Sequence, residues 1–269
     1  MAQVPSSDLS IFDLSGKKAL ITGGAGGIGR ACAIGMAKAG ADVAIADQQT
    51  EIGMQTADEI RALGRKSLFV RCDVSDVSSV DSMVAEVVDS FGRLDIAFNN
   101  AGISGSEGAS TDDVALEIWN RVLATNLTGT FYCCRAEAKY MIPQKYGKII
   151  NTASMSATIV NNVGFPDGIR AVAYCASKAG VKHLTKALAA EWVGDNICVN
   201  SISPGWTLTP LTQFLHEVPE FLKFLESITP MHRLANPQEL VGGVLYLASD
   251  ASSYTTGTDL IMDGGHTIW

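Results

Sequence analysis

Short apolar runs alternate with longer helical stretches almost to the end of this 269-residue chain, and that alternation narrows the possible folds most. The runs cover residues 17–22, 42–46, 66–71, 94–98, 148–152, 197–202 and 259–262. A helical stretch rich in alanine follows the first run, to about Lys38, and others cover residues 51–63, 111–141, 173–190 and 237–248. Val84, Val87, Val88 and Phe91 mark one more, with the i, i+3, i+4, i+7 spacing of a single helix face. Parallel strands need crossover connections, and helical crossovers cover both faces of the sheet. The expectation is an α/β fold: one domain built on a doubly wound parallel sheet of seven strands, with helices on both faces. No linker, internal repeat or low-complexity tract divides it. The domain is expected over residues 16–269, behind a polar N-terminal arm, residues 1–15.

Composition removes several classes of function. Hydrophobic residues make up 47% and charged residues 18%, which suits a buried core rather than disorder. Net charge is −8 with no basic stretch, so nucleic acid is not an expected partner. No apolar run is long enough to span a bilayer, and the N-terminus has no basic region followed by an apolar one, so neither membrane nor secretion is expected. Six scattered cysteines without C-x-x-C spacing fit a reducing cytoplasm, and the four dispersed histidines suggest no metal site.

The first run breaks at Gly23-Gly24-Ala25-Gly26-Gly27-Ile28-Gly29 and a helix follows. Such a turn leaves backbone N–H groups pointing outward at a helix N-terminus, where glycines let a diphosphate approach. The second run ends at Asp47, an acid suited to accept hydrogen bonds from both ribose hydroxyls of NAD and to repel the 2′-phosphate of NADP. Gln48 and Gln49 follow it, with no cation to reward that phosphate. NAD is therefore the expected cofactor.

At the start of the 173–190 stretch stand Tyr174 and Lys178, four residues apart and so on one helix face. Ionising a phenol of pKa near 10 at pH 7 costs roughly 4 kcal/mol, at about 1.36 kcal/mol per unit. A positive charge about 4 Å away in a partly shielded site contributes on the order of 4 kcal/mol. The spacing thus predicts a tyrosine able to donate and accept a proton near neutrality.

With Thr22-Gly23-x-x-x-Gly27-Ile28-Gly29, Asn99-Asn100-Ala101-Gly102, Tyr174-x-x-x-Lys178 and Pro204-Gly205 in this order, the chain resembles the short-chain dehydrogenase/reductase family. The resemblance covers essentially everything after about Asp13, through the terminal Asp263-Gly264-Gly265. It implies a Rossmann-type fold and hydride transfer between a secondary alcohol and the nicotinamide. Carried onto this chain, it implies a serine that hydrogen-bonds the substrate oxygen (Ser154), an acid/base (Tyr174), a lysine that lowers its pKa and holds the nicotinamide ribose (Lys178), and a helix asparagine serving the proton relay (Asn126). It implies that Asp73 and Val74 flank the adenine, that Asn100, Ala101 and Gly102 line the adenosine ribose side, and that Pro204, Gly205, Thr207 and Thr209 contact the nicotinamide. Ser154 and Tyr174 stand farther apart than is usual in the family, with an insertion within residues 161–172, so Ser156 rivals Ser154 for the serine role. Ser154 is preferred because it directly follows Asn151-Thr152-Ala153 at a strand end, where ligands bind in open α/β sheets; Ser156 is assigned to the substrate pocket.

The amphipathic stretch after the sixth run, with Trp206, Phe214, Leu215, Val218, Phe221, Leu222, Phe224 and Leu225, corresponds to the family's substrate lid, about residues 206–233, and Trp206 is assigned to the substrate. Stretches such as 154–161, Ala189-Ala190-Glu191-Trp192, Thr229-Pro230-Met231 and Thr267-Ile268-Trp269 look like the family's polyol dehydrogenases. Another carbonyl substrate (a 3-oxoacyl thioester, sugar acid or cyclic ketone) stays open, with Arg170 in the insertion as a partner for an acidic one. So does a non-catalytic NAD-binding regulator. The resemblance also implies a homotetramer, with the apolar tail Ile268-Trp269 available for burial against another subunit.

Overall fold

The computed structural model describes residues 9–105, 111–160 and 171–268, with residues 214–217 described as backbone only. Within them seven parallel strands form one sheet in the order β3-β2-β1-β4-β5-β6-β7. They are β1 (Lys18–Thr22), β2 (Asp42–Asp47), β3 (Ser67–Arg71), β4 (Ile96–Asn99), β5 (Gly147–Thr152), β6 (Ile197–Pro204) and β7 (Asp259–Met262). The helices are α1 (Gly27–Lys38), α2 (Thr50–Ala62), α3 (Val77–Phe91), α4 (Leu116–Leu123), α5 (Gly129–Gln144), α6 (Val172–Trp192), α7 (Pro219–Ser227) and α8 (Gln238–Ala248). This is the expected doubly wound α/β domain.

Alternation along the strands divides the core into two layers. Leu20 and Ile149 face α3, α5 and α6, with Val84, Met141 and Leu188. Ala19, Ile21, Phe98 and Ile150 face α1, α2 and α8, with Met36, Ile60 and Val244. Burying each Leu, Ile, Phe or Met contributes about 1.5–3 kcal/mol, so strands apolar on both faces are stable only between helices. Strand order reverses between β1 and β4, and the carboxyl ends there open a crevice.

Three differences from the expectation have local causes. The 111–141 stretch begins its helix at Leu116 and runs on through α5 to Gln144, interrupted by a π-helical turn at Ala124–Thr128. The last part of the expected N-terminal arm is tied down: Leu9–Phe12 form a 3-10 turn, the Leu14 N–H donates to the Ala39 carbonyl at 2.8 Å, and the Leu14 side chain is buried in the core. The lid stretch makes its own cluster, with Phe221, Leu225 and Leu234 buried and Trp206, Leu208 and Phe224 packed against them. Residues 1–8 of the arm, residues 161–170 of the insertion with Arg170, Trp269 and the side chains of Phe214 and Leu215 lie outside the described residues. Among the described residues no helix is long and apolar enough to cross a membrane, and no cluster of three or more His, Cys, Asp or Glu side chains suits a metal ion. All six cysteines are free thiols.

Candidate active site

The glycine turn between β1 and α1 is welded to the end of β4. Asn100 Nδ2 donates to the Gly23 carbonyl at 3.1 Å, and the Asn100 N–H donates to Thr22 Oγ1 at 3.1 Å. Gly23 has φ +64°, and a Cβ there would stand 2.9 Å from Ala101 Cα. A Cβ on Gly29 would stand 2.1 Å from the Gly23 carbonyl oxygen, so only glycine lets α1 start this close to the turn. The turn floors a cleft of about 370 Å³ that Gly23, Gly27, Ile28, Asp47, Val74, Asn100, Ala101, Gly102 and Thr209 line. Ile103, Thr125, Pro210 and Leu211 line it too, without a motif to announce them.

Asp47 stands on the cleft wall at the end of β2 and ties the rim together. One carboxylate oxygen accepts the Ala25 N–H at 3.1 Å and the other accepts the Gln49 N–H at 3.0 Å. Asp73 does not line the cleft; its carboxylate is taken by Ser75, whose N–H and hydroxyl donate at 2.9 and 2.6 Å. Pro204 ends β6, and Gly205 abuts Asp263, whose Cα would stand 2.6 Å from an added Cβ. Thr207 is buried, and its hydroxyl donates to the Gly205 carbonyl at 3.1 Å.

Behind Gly102 on the cleft wall, the carboxyl end of β5 meets α6. Ser154 caps a short 3-10 turn, Met155–Ala157, and its Oγ accepts the Ser156 N–H at 3.1 Å. The same Ser154 side chain hydrogen-bonds the Tyr174 phenol. Of the two serines it is therefore Ser154 whose hydroxyl meets the phenol, with the Ser156 backbone bracing it; both serines are buried. Lys178 Nζ donates to the Thr152 carbonyl at 2.7 Å and lies 5.6 Å from the centroid of the Tyr174 ring. A Cβ on Gly102 would stand 3.4 Å from Lys178 Nζ and 3.3 Å from Asn126 Oδ1, so the absent side chain lets both groups approach the cleft wall closely.

Asn126 sits in the π-helical turn between α4 and α5, fully buried. Its side-chain amide clamps Ile103 from both sides: Oδ1 accepts the Ile103 N–H and Nδ2 donates to the Ile103 carbonyl, both at 2.9 Å. Nδ2 also donates to Ser177 Oγ at 3.1 Å, and that hydroxyl donates to the Tyr174 carbonyl at 2.7 Å. Ser177, which the sequence did not single out, thus connects the π turn to the first turn of α6. Insertions of this kind gather at functional sites because the extra residue re-aims neighbouring groups. Trp206 packs edge-on to Phe221, ring centroids 6.5 Å apart, and its Nε1 is buried without a hydrogen-bond partner among the described residues.

The electrostatics depart from the sequence argument. Burial pushes the Tyr174 phenol above its ordinary value, with the Ser154 hydrogen bond pulling the other way. Burial also lowers Lys178 to about 8. Desolvation penalises both charged forms, and it outweighs an attraction estimated from helical spacing alone.

A protein-family model described as "Enoyl-(Acyl carrier protein) reductase" matches residues 23–267. Sorbose reductase of Candida albicans is 40% identical over 265 residues, covering 98% of this chain and 92% of that one. The NADP-dependent mannitol dehydrogenase of Alternaria alternata is 40% identical over 262 residues, covering 96% and 95%. The crystal structure of a short-chain type dehydrogenase/reductase from Mycobacterium marinum superposes with a TM-score of 0.89 at 43% identity, over 96% of this chain and 98% of that one.

Proposed function

This chain belongs to the short-chain dehydrogenase/reductase family, and from that premise we propose that it is an NAD-dependent oxidoreductase interconverting a secondary alcohol and a ketone, on a polyol and its ketose. The observation that carries the reading is the Ser154 hydroxyl on the Tyr174 phenol, beside a Lys178 that adjoins Gly102 on the wall of a glycine-floored cleft.

The cleft suits a dinucleotide. Gly23 and Gly27 leave its floor bare at a helix N-terminus, where a diphosphate is held. Asp47 would take the adenosine ribose, flanked by Val74 and by Asn100, Ala101 and Gly102. Its carboxylate and the neutral Gln48 and Gln49 disfavour a 2′-phosphate, which supports NAD even though the mannitol relative is NADP-dependent. Thr207 and Thr209, beyond Pro204-Gly205, serve the nicotinamide side. When bound, the nicotinamide supplies the hydride acceptor.

The chain's own residues do the rest. Ser154 Oγ donates to the substrate oxygen and stabilises the charge that grows there, as an oxyanion donor does. Tyr174 Oη accepts the hydroxyl proton in oxidation as the phenolate, becoming the phenol, and the phenol returns it in reduction. Lys178, held by the Thr152 carbonyl, presents its ammonium to the ribose and to Tyr174. Asn126, through Ile103 and Ser177, fixes the backbone on both sides of that relay. Ser156 and Trp206 border the substrate, and the lid over residues 206–233 closes on it.

The test is NADH formation across polyols, hydroxy acids and cyclic alcohols, each with NAD and with NADP. Turnover is expected with NAD on secondary alcohols of polyols, and Asp47→Ser should raise the share of activity seen with NADP. Turnover restricted to hydroxy acids or cyclic alcohols would move the substrate class; dinucleotide binding without turnover on any compound would make the chain a regulator. The same reading includes a cytoplasmic homotetramer, supported by the exposed apolar Leu116, Phe131 and Val172 near the α4–α6 side. Sedimentation at micromolar concentration checks the assembly.

A further inference from the structure

The segment after Thr207 crosses the cleft and lands on the glycine turn. A Cβ on Gly27 would stand 3.3 Å from Thr209 Cβ and 3.6 Å from Pro210 Cδ, and one on Gly26 would stand 3.7 Å from Pro210 Cγ. This strap is anchored behind by Thr207, which bridges to Ala235, and by the Leu208 N–H, which donates to the Ala235 carbonyl at 2.9 Å. In front it is held by Thr212, whose N–H donates to the Thr209 carbonyl at 3.0 Å and whose hydroxyl adds further bonds. Thr212 Oγ1 donates to the Thr207 carbonyl at 2.6 Å and accepts the Thr209 N–H at 2.9 Å. The Thr209 hydroxyl lies 3.3 Å away.

A threonine hydroxyl has one donor and two acceptor lone pairs. With its proton on the Thr207 carbonyl, Thr212 Oγ1 spends its lone pairs on the N–H and the hydroxyl of Thr209. The local pattern is a helix start. Thr209 stands at the cap position and Pro210 comes first, followed two residues on by Thr212, which reaches back to the cap N–H as the third residue of a capping box does. That knot fixes the angle at which Thr209 and Pro210 leave Thr207, and hence where they meet Gly26 and Gly27.

We propose that Thr212 is a positioning residue for the dinucleotide: its hydroxyl holds the Thr209–Pro210 strap across the diphosphate end of the cleft. This rests on the dinucleotide reading above and adds to it that the strap, not the glycine turn alone, sets affinity for everything beyond the adenosine. It also assigns Thr212 no part in the chemical step.

The experiment compares Thr212→Val, which keeps the shape and removes the hydroxyl, with Thr212→Ser, which keeps the hydroxyl. NADH and AMP are titrated by fluorescence and calorimetry into the full-length protein. Losing both bonds to Thr209 should weaken NADH about tenfold, or about 1.4 kcal/mol, in Thr212→Val, with AMP affinity and kcat at saturating dinucleotide held within about twofold. Thr212→Ser should bind NADH as the wild type does. Equal loss of NADH and AMP affinity, or unchanged NADH affinity in Thr212→Val, overturns the proposal while leaving the dinucleotide reading intact. Failure of the wild-type protein to bind NADH sinks the dinucleotide reading itself, a result these variants cannot mimic.

Discussion

Lys148 and Lys178 attend opposite ends of β5: Lys148 is its second residue, while Lys178 reaches its last carbonyl from α6. Each is 3% exposed, and burial lowers the proton affinity of each. Their surroundings differ. At the amino end, Lys148 Nζ has an acceptor for each N–H: the Ser252 carbonyl at 3.2 Å, Ser252 Oγ at 3.1 Å and Cys198 Sγ at 3.7 Å. At the carboxyl end, Lys178 Nζ spends one N–H on the Thr152 carbonyl and otherwise faces Tyr174 and Gly102. A perturbed buried lysine is therefore not by itself a mark of function. What separates the two is how many donors the fold consumes, and whether the rest point at the edge of the sheet where ligands enter.

The comparison breaks most sharply at Tyr174. Tyr174→Phe removes the only phenol hydroxyl touching Ser154 among the described residues, and turnover should fall about 10³-fold or more while NADH still binds. Turnover near the wild-type level in that variant would end the acid/base assignment. Next comes Lys178→Met, for which kcat/KM should drop about 10²-fold to 10³-fold. Its counterpart Lys148→Met should leave kcat/KM unchanged and instead lower stability by about 1–3 kcal/mol in urea unfolding, because the Ser252 carbonyl and hydroxyl each lose a buried donor. If both substitutions act on activity, the two ends of β5 are not as different as their hydrogen bonds say.

A pH series sharpens the contrast. Lys178 is charged below about 8 in the protein without dinucleotide, so NADH affinity should hold steady below that pH and weaken as pH rises through it. Lys178→Arg should flatten the profile, since guanidinium keeps its proton throughout.

The smallest effect is expected at Glu137, buried on α5 behind the site and pushed up to about 8 by burial. Asn99 Nδ2 donates to its Oε2 at 3.1 Å, while Glu137 Oε1 and Asn99 Oδ1 have no partner among the described residues. The folded state prefers the protonated acid, whose proton can serve one of those oxygens. Its stabilising contribution is complete below the unfolded value of about 4.3 and is lost as pH rises through about 8. Glu137→Gln, neutral at every pH, should gain on the wild type in Tm between pH 5 and 8 with activity unchanged. A constant difference across that range would mean that Glu137 is ionised in the fold.

Much of this was legible because it is local. The strands were visible from runs apolar on both faces, and the turn at Gly23 to Gly29 from its place between a strand and a helix. The break at Ala124–Thr128 was not, since a single π turn hardly disturbs the apolar period of the stretch around it. The clamp of Asn126 on Ile103 joins residues 23 apart, and no spacing rule encodes it. The same is true of Thr212: a T-P-x-T start is readable, but its meeting with Gly27 is not.

By itself, then, the chain determined its strands, its glycine turn and the four-residue spacing of Tyr174 and Lys178, because helix and strand periods act between near neighbours. The tertiary structure alone decided that Ser154 meets Tyr174, that Lys178 keeps donors for the cleft while Lys148 does not, and that burial rather than a neighbouring charge dominates both the phenol and the amine. Desolvation and saturation of donors depend on segments far apart in sequence, so they exist only once the sheet and its two helical layers have closed.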